Sequence, residues 1–169
     1  MASPSELLAD GFGRVRQEVL AVLEGLSREQ LRYRIDEEAN PIGWLVWHLT
    51  RVQDDHVADV ADTEQSWTAG GWVDRFTLPF DRDATGYGQE SAAVGRLDAE
   101  ASLLAAYHTT VHDATSGFLR RLSDGDLDQV VDTRWDPPVT LGVRLISVLA
   151  DDLQHVGQAA YVRGVVLRR

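Results

Sequence analysis

Three residues have the types and spacing expected of a metal site: His48, Asp151 and His155. Asp151 and His155 lie four residues apart in ADDLQHVGQ, so a helix places both side chains on one face, one turn apart. His48 lies in a second run with helical periodicity, PIGWLVWHLTRVQDDH. Two imidazoles and a carboxylate converging from two helices can hold a divalent metal and leave positions open for water or substrate. The sequence therefore predicts a metal site shared by two helices.

Structural interpretations of the same residues stay open at this stage. A histidine among apolar residues, as His48 is, can simply pack in a core, and Asp151 with His155 can form a pair on the helix surface. However, apolar residues surround Asp151 and Asp152, so at least one of these carboxylates must point near the core. A buried carboxylate is costly without a partner or a metal, which favours the metal interpretation.

Three further residues are candidates for catalytic roles near that site. Asp55 lies seven residues after His48 on the same helix face, where it could relay a proton or support the metal ligands. Alternatively, Asp55 simply lies in a solvated end of the helix. Asp152 and Gln158 flank the Asp151 pair and could position a proton or a substrate group, but no spacing is specific enough to name the base.

A second pair of histidines, His108 and His112 in HTTVH, also has helical spacing. The segment lacks the glutamate that follows the first histidine in zinc proteases, so that type of hydrolysis is not supported. His108 lies on the apolar stripe of its helix, whereas His112 does not. We expect His108 to pack at the edge of the core.

Composition excludes several classes of function. The net charge of −11 argues against binding to a nucleic-acid backbone or an anionic membrane. Because the chain has no cysteine, it has no disulfide, thiolate ligand or cysteine nucleophile, and any metal must take nitrogen and oxygen ligands. The start MASPSELLADGFGRVR lacks the apolar core of a signal peptide, and no apolar run is long enough to span a bilayer. We expect one cytoplasmic domain over residues 1–169.

Apolar periodicity predicts an all-α protein with four long helices. A four-helix bundle is the expected fold. Ser27 opens a capping-box pattern for one short additional turn, Asn40 is the expected N-cap of the second helix, with Pro41 in its first position, and Gly164 is the expected C-cap of the fourth. The four helices are predicted at about 5–25, 41–62, 91–122 and 140–163.

The segment 63–90 between the second and third helices is predicted to be a long irregular loop. Loops of this length in compact domains are often lids or binding loops. Its aromatic residues indicate that the segment packs either against a second subunit or over the protein's own site. They are Trp67, Trp72, Phe76, Phe80 and Tyr87.

Two segments, NPIGWLVWHLTRVQDDH and LGVRLISVLADDLQHVGQAAYVRG, resemble the DinB-like four-helix-bundle superfamily. That superfamily includes YfiT-like hydrolases, bacillithiol and mycothiol S-transferases and the metal-binding domain of mycothiol-dependent maleylpyruvate isomerase. The resemblance implies an up-down-down-up bundle with a long crossover between helices two and three. It also implies a divalent metal on His48, Asp151 and His155, with zinc as the first choice and nickel, iron or manganese as alternatives. Asp151 is a departure, since many members have histidine there and the mycothiol-type enzymes usually have glutamate.

The resemblance further implies transfer of a low-molecular-weight thiol, such as mycothiol, to a small electrophile. The thiol would be a cosubstrate, since the chain has no cysteine. A metal-dependent hydrolase and a non-catalytic, stress-related binding or scaffold protein are the alternatives. Homodimers are also common in this superfamily, and Trp67 and Trp72 of the 63–90 loop are expected to be exposed and to contribute to such an interface.

Overall fold

Four long helices, each with a continuous apolar face, form the body of the structure, a computed structural model that describes residues 3–169. Within these residues no helix is both long enough and apolar enough to cross a membrane. The four-helix-bundle expectation is confirmed. The helices are α1 (Pro4–Leu23), α2 (Arg28–Arg32), α3 (Ile42–Ala61), α4 (Ser66–Ala69), α5 (Trp72–Phe76), α6 (Ser91–Val94), α7 (Ala101–Leu119) and α8 (Leu141–Val166). A 3-10 helix at Asp124–Asp128 and a two-stranded antiparallel hairpin, β1 (Val130–Asp132) and β2 (Val139–Thr140), precede α8.

Most helix ends follow the capping signals in the sequence. Ser27 caps α2 in the predicted box, and Thr140 caps α8 by accepting a hydrogen bond from the Val143 amide. Two predicted ends were wrong. The N-cap of α3 is Pro41 instead of Asn40, with no side-chain hydrogen bond, and α8 continues through Gly164 to Val166. Tertiary packing of the last turn of α8, where Val166 is buried, outweighs the weak helix propensity of glycine.

The predicted third helix, 91–122, is in fact two helices, α6 and α7, separated by residues 95–100. Leu97 in this connection is buried in the core. The apolar residue that the sequence pattern assigned to a helix face therefore lies in a non-helical segment. Asp98 in the same connection forms ion pairs with Arg28 and Arg32 of α2. The burial of Leu97, with these surface ion pairs, accompanies the non-helical path of the connection.

Helices α3 and α7, the second and third of the long helices, run parallel. Thr50 of α3 forms a hydrogen bond with His108 of α7. Further along both helices, Gln53 of α3 donates a hydrogen bond to Thr115 of α7. Because parallel neighbours require the chain to return along the length of a helix, a long crossover must join α3 to α7. Residues 62–100, which contain α4, α5 and α6, form this crossover, so the segment 63–90 is not the wholly irregular loop that the sequence predicted but includes the short helices α4 and α5.

The other pairings complete an up-down-down-up bundle. Arg163 at the end of α8 donates to the carbonyl of Glu24 at the end of α1, so α1 and α8 run parallel. His56 near the end of α3 lies beside Arg144 at the start of α8, so these two helices are antiparallel. The start of α3 therefore lies next to the second half of α8.

The crossover packs most of its aromatic side chains inward. The side chains of Trp67 and Trp72 are only 3% and 6% exposed. Their rings, with that of Phe76, lie 5.3–5.7 Å from the Tyr107 ring of α7. The expectation that Trp67 and Trp72 are exposed at a dimer interface was therefore wrong, because the bundle itself buries them. By contrast, Tyr87 is 91% exposed.

Candidate metal centre

The antiparallel packing of α3 and α8 brings His48, Asp151 and His155 together. One potential ligand atom from each residue lies within 4.8 Å of the other two. The His48 and His155 ring centroids are 4.8 Å apart. His48 is buried, whereas Asp151 and His155 are half-buried, and His48 and Asp151 line a cavity. The three side chains chosen from sequence spacing thus form one cluster.

His48 is held with one ring nitrogen free. Its Nδ1–H donates a 2.6 Å hydrogen bond to the backbone carbonyl of Thr85 in the crossover, and the Trp44 ring stacks on the imidazole at 4.6 Å. Burial lowers the pKa of His48 below its usual value, although the Thr85 carbonyl opposes this shift. The imidazole is therefore neutral with its Nε2 lone pair available, which is the form that binds metals.

Gly86 allows the crossover to approach His48 this closely. It has φ +94°, a conformation that other residues rarely adopt. A Cβ atom here would lie 2.7 Å from His48 Nδ1 and 3.0 Å from a ring carbon of Trp47. The hydrogen bond from His48 to the neighbouring Thr85 carbonyl therefore depends on a residue without a side chain at position 86.

His155 and Asp151 form the other half of the cluster. His155 Nδ1 lies 3.1 Å from Gln158 Oε1, and its Nε2 lies 3.5 Å from Asp151 Oδ1. The hydrogen bond to Asp151 raises the pKa of His155. Burial opposes ionisation of Asp151, but the bond from His155 and the nearby imidazoles lower its pKa overall. The two side chains therefore favour positive charge between them, which a bound cation would supply in place of a proton on His155.

The chemistry of the cluster fits a divalent cation. Asp151 Oδ2 is buried and has no hydrogen-bond partner among residues 3–169. An unpaired buried carboxylate oxygen is costly, and a cation would satisfy it. Both histidines make their Nδ1 contact with an oxygen, which leaves Nε2 for a metal, as is usual for histidine ligands.

A cavity of about 580 Å³ opens beside His48 and Asp151. Its lining combines four valines with polar and aromatic side chains, a mixture common in small-molecule sites. The crossover, the β1–β2 hairpin, α3 and α8 all contribute. The lining residues are His48, Val52, Asp55, His56, Thr85, Tyr87, Asp132, Arg134, Trp135, Val139, Val143, Arg144, Ser147, Val148 and Asp151.

The family model of mycothiol S-transferases matches residues 7–166. The chain belongs to the mycothiol S-transferase family. A crystal structure described as a conserved protein from Enterococcus faecalis superposes with a TM-score of 0.92 and 24% sequence identity, covering 100% of both chains. That similarity supports the fold. None of the curated proteins compared with this chain matches it significantly.

In this mycothiol S-transferase family member, the three catalytic candidates lie in different environments. Asp55 lines the cavity and accepts a 2.7 Å hydrogen bond from Gln65. Gln158 contacts the His155 imidazole, a position suited to orienting that ring. Asp152 is fully buried and is not among the cavity-lining residues, and burial followed by the charge of Asp151 raises its pKa well above its usual value. Their catalytic roles stay predictions.

Sequence reasoning did not assign roles to several residues of the cavity. Thr85 lies on an irregular segment and Asp132 ends the three-residue strand β1, so neither has a periodicity that indicates where it points. His56 and Arg144 were recognisable in principle, because they lie eight residues after His48 and seven residues before Asp151, on the same helix faces. By contrast, His108 is fully buried against Thr50, deeper than the edge of the core where we predicted it.

Proposed function

We propose that this chain is a divalent-metal-dependent S-transferase that joins mycothiol to a small electrophile. The observation that carries the proposal is the cluster of His48, Asp151 and His155, two of which, His48 and Asp151, line one cavity. Membership of the mycothiol S-transferase family supports a thiol substrate. Because the chain has no cysteine, the sulfur must come from a cosubstrate. We infer a single domain that acts in the cytoplasm, where low-molecular-weight thiols are kept reduced.

The donor set indicates which metal would be held. Two neutral imidazoles and one carboxylate suit zinc, and also nickel, iron or manganese. An ion bound there would lower the pKa of a coordinated thiol, as it does for water, so that the thiolate forms near neutral pH. The short Asp151 side chain requires α8 to lie close to α3 at this level, and the antiparallel packing of these helices supports that.

The chain's own residues would orient the ligands and exclude water. Thr85 fixes the ring of His48, and Gln158 fixes the ring of His155. Val52 and Val148 line the cavity next to these ligands and favour a poorly hydrated reaction site. Asp55, which lines the same cavity, is the candidate to accept the proton that the thiol loses. In the reaction, the sulfur–carbon bond forms as the leaving group departs or as the electrophile's double bond takes up a proton.

A conjugation assay tests the proposal. Zinc-loaded protein is mixed with chlorodinitrobenzene or a bromobimane and with mycothiol, bacillithiol, glutathione or cysteine in turn. We expect the fastest conjugation with mycothiol, and a rate at background in the His48→Ala variant. The His112→Ala variant, altered outside the cavity, should keep the wild-type rate. If no thiol reacts faster than with His48→Ala, the transferase assignment is wrong, and ester or amide cleavage without thiol would indicate a hydrolase.

We also propose that two copies associate through the outward face of α8. Every exposed residue of this helix is uncharged, although the chain has a net charge of −11. A second copy can therefore approach this face without strong repulsion, and a two-fold interface would pair it with itself. These residues are Val143, Ile146, Ser147, Ala150, Leu153, Gln154, Gly157, Gln158, Ala160 and Tyr161.

A further inference from the structure

A second polar group lies at the end of the cavity opposite to the candidate metal ligands. Arg144 of α8 donates from Nη2 to Asp132 Oδ2 at 3.0 Å and from Nη1 to His56 Nδ1 at 3.1 Å. All three residues line the cavity. The side chains of Arg144 and Asp132 are only 13% and 5% exposed, so these contacts hold the guanidinium in one place.

The contact with Arg144 determines what His56 can do. A guanidinium only donates hydrogen bonds, so Nδ1 of His56 must carry a lone pair and Nε2 must carry the proton. Burial and then the charge of Arg144 lower the pKa of His56, which is consistent with a neutral ring. Nε2 makes no hydrogen bond to any part of residues 3–169. His56 is thus a fixed, neutral N–H donor on the cavity wall.

This donor is remote from the reacting sulfur. His56 follows His48 by eight residues of α3, which corresponds to about 12 Å along the helix axis. Arg144 precedes Asp151 by seven residues of α8, or about 10 Å. A ligand that reaches from the metal centre to His56 must therefore be extended, and His56 would bind a part of it that does not react.

The electrostatics of this end favour a neutral, hydroxyl-bearing ligand over an anion. The carboxylates of Asp132 and Asp59 together balance the charges of Arg144 and Arg134, because Asp132 accepts hydrogen bonds from both arginines and Asp59 lies 4.0 Å from Arg144. Two exposed aromatic side chains, Tyr87 and Trp135, line the same cavity. Fixed donors and acceptors beside exposed rings suit a sugar or cyclitol, whose hydroxyls form hydrogen bonds and whose apolar faces stack on aromatic rings.

We propose that His56, positioned by Arg144 and Asp132, binds the hydroxyl-rich part of the thiol cosubstrate, with Trp135 as its stacking surface. This proposal rests on the proposed function. Mycothiol carries its thiol on an N-acetylcysteinyl group joined to a glucosaminyl-inositol, so the sulfur can lie at the metal centre while the sugar and cyclitol extend toward His56. The residues would therefore select mycothiol over smaller thiols without acting on the reacting atoms.

Calorimetric titration of zinc-loaded protein with mycothiol and with N-acetylcysteine, which lacks the sugar and cyclitol, tests the proposal. In the His56→Leu variant we expect the Kd for mycothiol to rise about tenfold, the loss of one good hydrogen bond. The Kd for N-acetylcysteine should change less than about twofold. His56→Gln, which keeps an N–H donor, should recover most of the mycothiol affinity. Trp135→Ala, which alters an exposed side chain, should also weaken the binding of mycothiol but not that of N-acetylcysteine.

Several results would overturn this assignment. His112→Leu is the matched control, because His112 is a partly buried histidine that does not line the cavity, and it should leave the ratio of the two affinities unchanged. Equal losses for both thiols in His56→Leu would indicate a general structural effect. An altered KM for the electrophile with unchanged thiol selectivity would assign this end of the cavity to the other substrate. If wild-type protein binds neither thiol, the proposed function itself fails, whereas unselective thiol binding overturns the subsite alone.

Discussion

The backbone carbonyl of Thr85 accepts a 2.6 Å hydrogen bond from Nδ1–H of His48, although the two residues belong to different segments of the fold. The fully buried guanidinium of Arg51, less than one turn after His48, donates to the carbonyl of Ala84. Nearby, Asp54 accepts hydrogen bonds from the amides of Ser66 and Trp67 at the start of α4. Helix α3 thus anchors the crossover, and the crossover in turn orients the imidazole of His48.

The first prediction concerns the three candidate ligands. Replacing His155 with alanine should abolish stoichiometric zinc binding, because only His48 and Asp151 remain. The protein should also lose the increase in Tm that saturating zinc produces in wild type. Elemental analysis and thermal melts with and without zinc measure both effects. His112→Ala serves as control, and equal metal content in the two variants would show that the ligand assignment is wrong.

Gly86→Ala should weaken zinc binding through the orientation of His48. The new Cβ would lie 2.7 Å from Nδ1 of His48, so the imidazole or the Thr85 carbonyl must move. Loss of such a supporting hydrogen bond typically reduces metal affinity about 10- to 100-fold. A chelator competition assay measures the affinity.

Gly88→Ala is the matched control for that change. Gly88 also has a positive φ, +69°, but a Cβ there would meet nothing within 4 Å. Both variants should therefore carry backbone strain of about 1–2 kcal/mol, which urea unfolding would detect. Only Gly86→Ala should lose zinc affinity. Comparable loss in both variants would mean that strain in the crossover, rather than contact with His48, controls the site.

Burial of His108 predicts an acid-dependent loss of stability. Burial lowers the pKa of His108 to about 3, so the folded protein holds it neutral while the unfolded chain protonates it near its ordinary value of 6.5. The unfolded state therefore binds more protons below pH 6.5, and the free energy of unfolding falls as the pH decreases from 6.5 toward 3. At pH 4.5 this effect lowers the free energy of unfolding by about 2–3 kcal/mol relative to pH 7.

Urea unfolding of metal-free protein at pH 7 and pH 4.5 measures this effect. His108→Gln retains an N–H donor for Thr50 but does not titrate, so its free energy of unfolding should decrease less between the two pH values. The variant would be less stable than wild type at pH 7 if the packing is imperfect, but the comparison uses only the change with pH. If the free energy of unfolding decreased equally in both proteins between pH 7 and pH 4.5, His108 would not be the cause of the decrease.

Leu153→Glu should disrupt the proposed dimer. Leu153 lies 48% exposed in the uncharged face of α8, and a two-fold interface would bring the new carboxylates close together. Leu7→Glu on α1, at a leucine that is 63% exposed, is the control away from this face. Light scattering at micromolar concentration should show a monomer for Leu153→Glu and a dimer for Leu7→Glu and wild type. A wild-type monomer would remove the dimer proposal.

The amino-acid sequence by itself determined the helical fold and the proposed ligand set. Apolar spacing is a local property, because residues on one helix face recur every three or four positions regardless of what packs against them. It placed His48 on an inward face of α3 and put Asp151 one turn from His155 on α8. The resemblance in the segments around these residues also indicated the crossover that parallel packing of α3 and α7 requires.

Tertiary structure alone decided the features that depend on residues far apart in the chain. The contact of Thr85 with His48 requires Gly86 at a positive φ, and no helical or strand period marks that turn. The burial of Trp67 depends on the position of α7, so composition indicated an aromatic loop but not which side its rings face. Likewise, Arg144 reaches His56 only because α3 and α8 are antiparallel. Local periodicity specifies which face of an element is apolar, whereas the packing of the elements determines which polar groups meet.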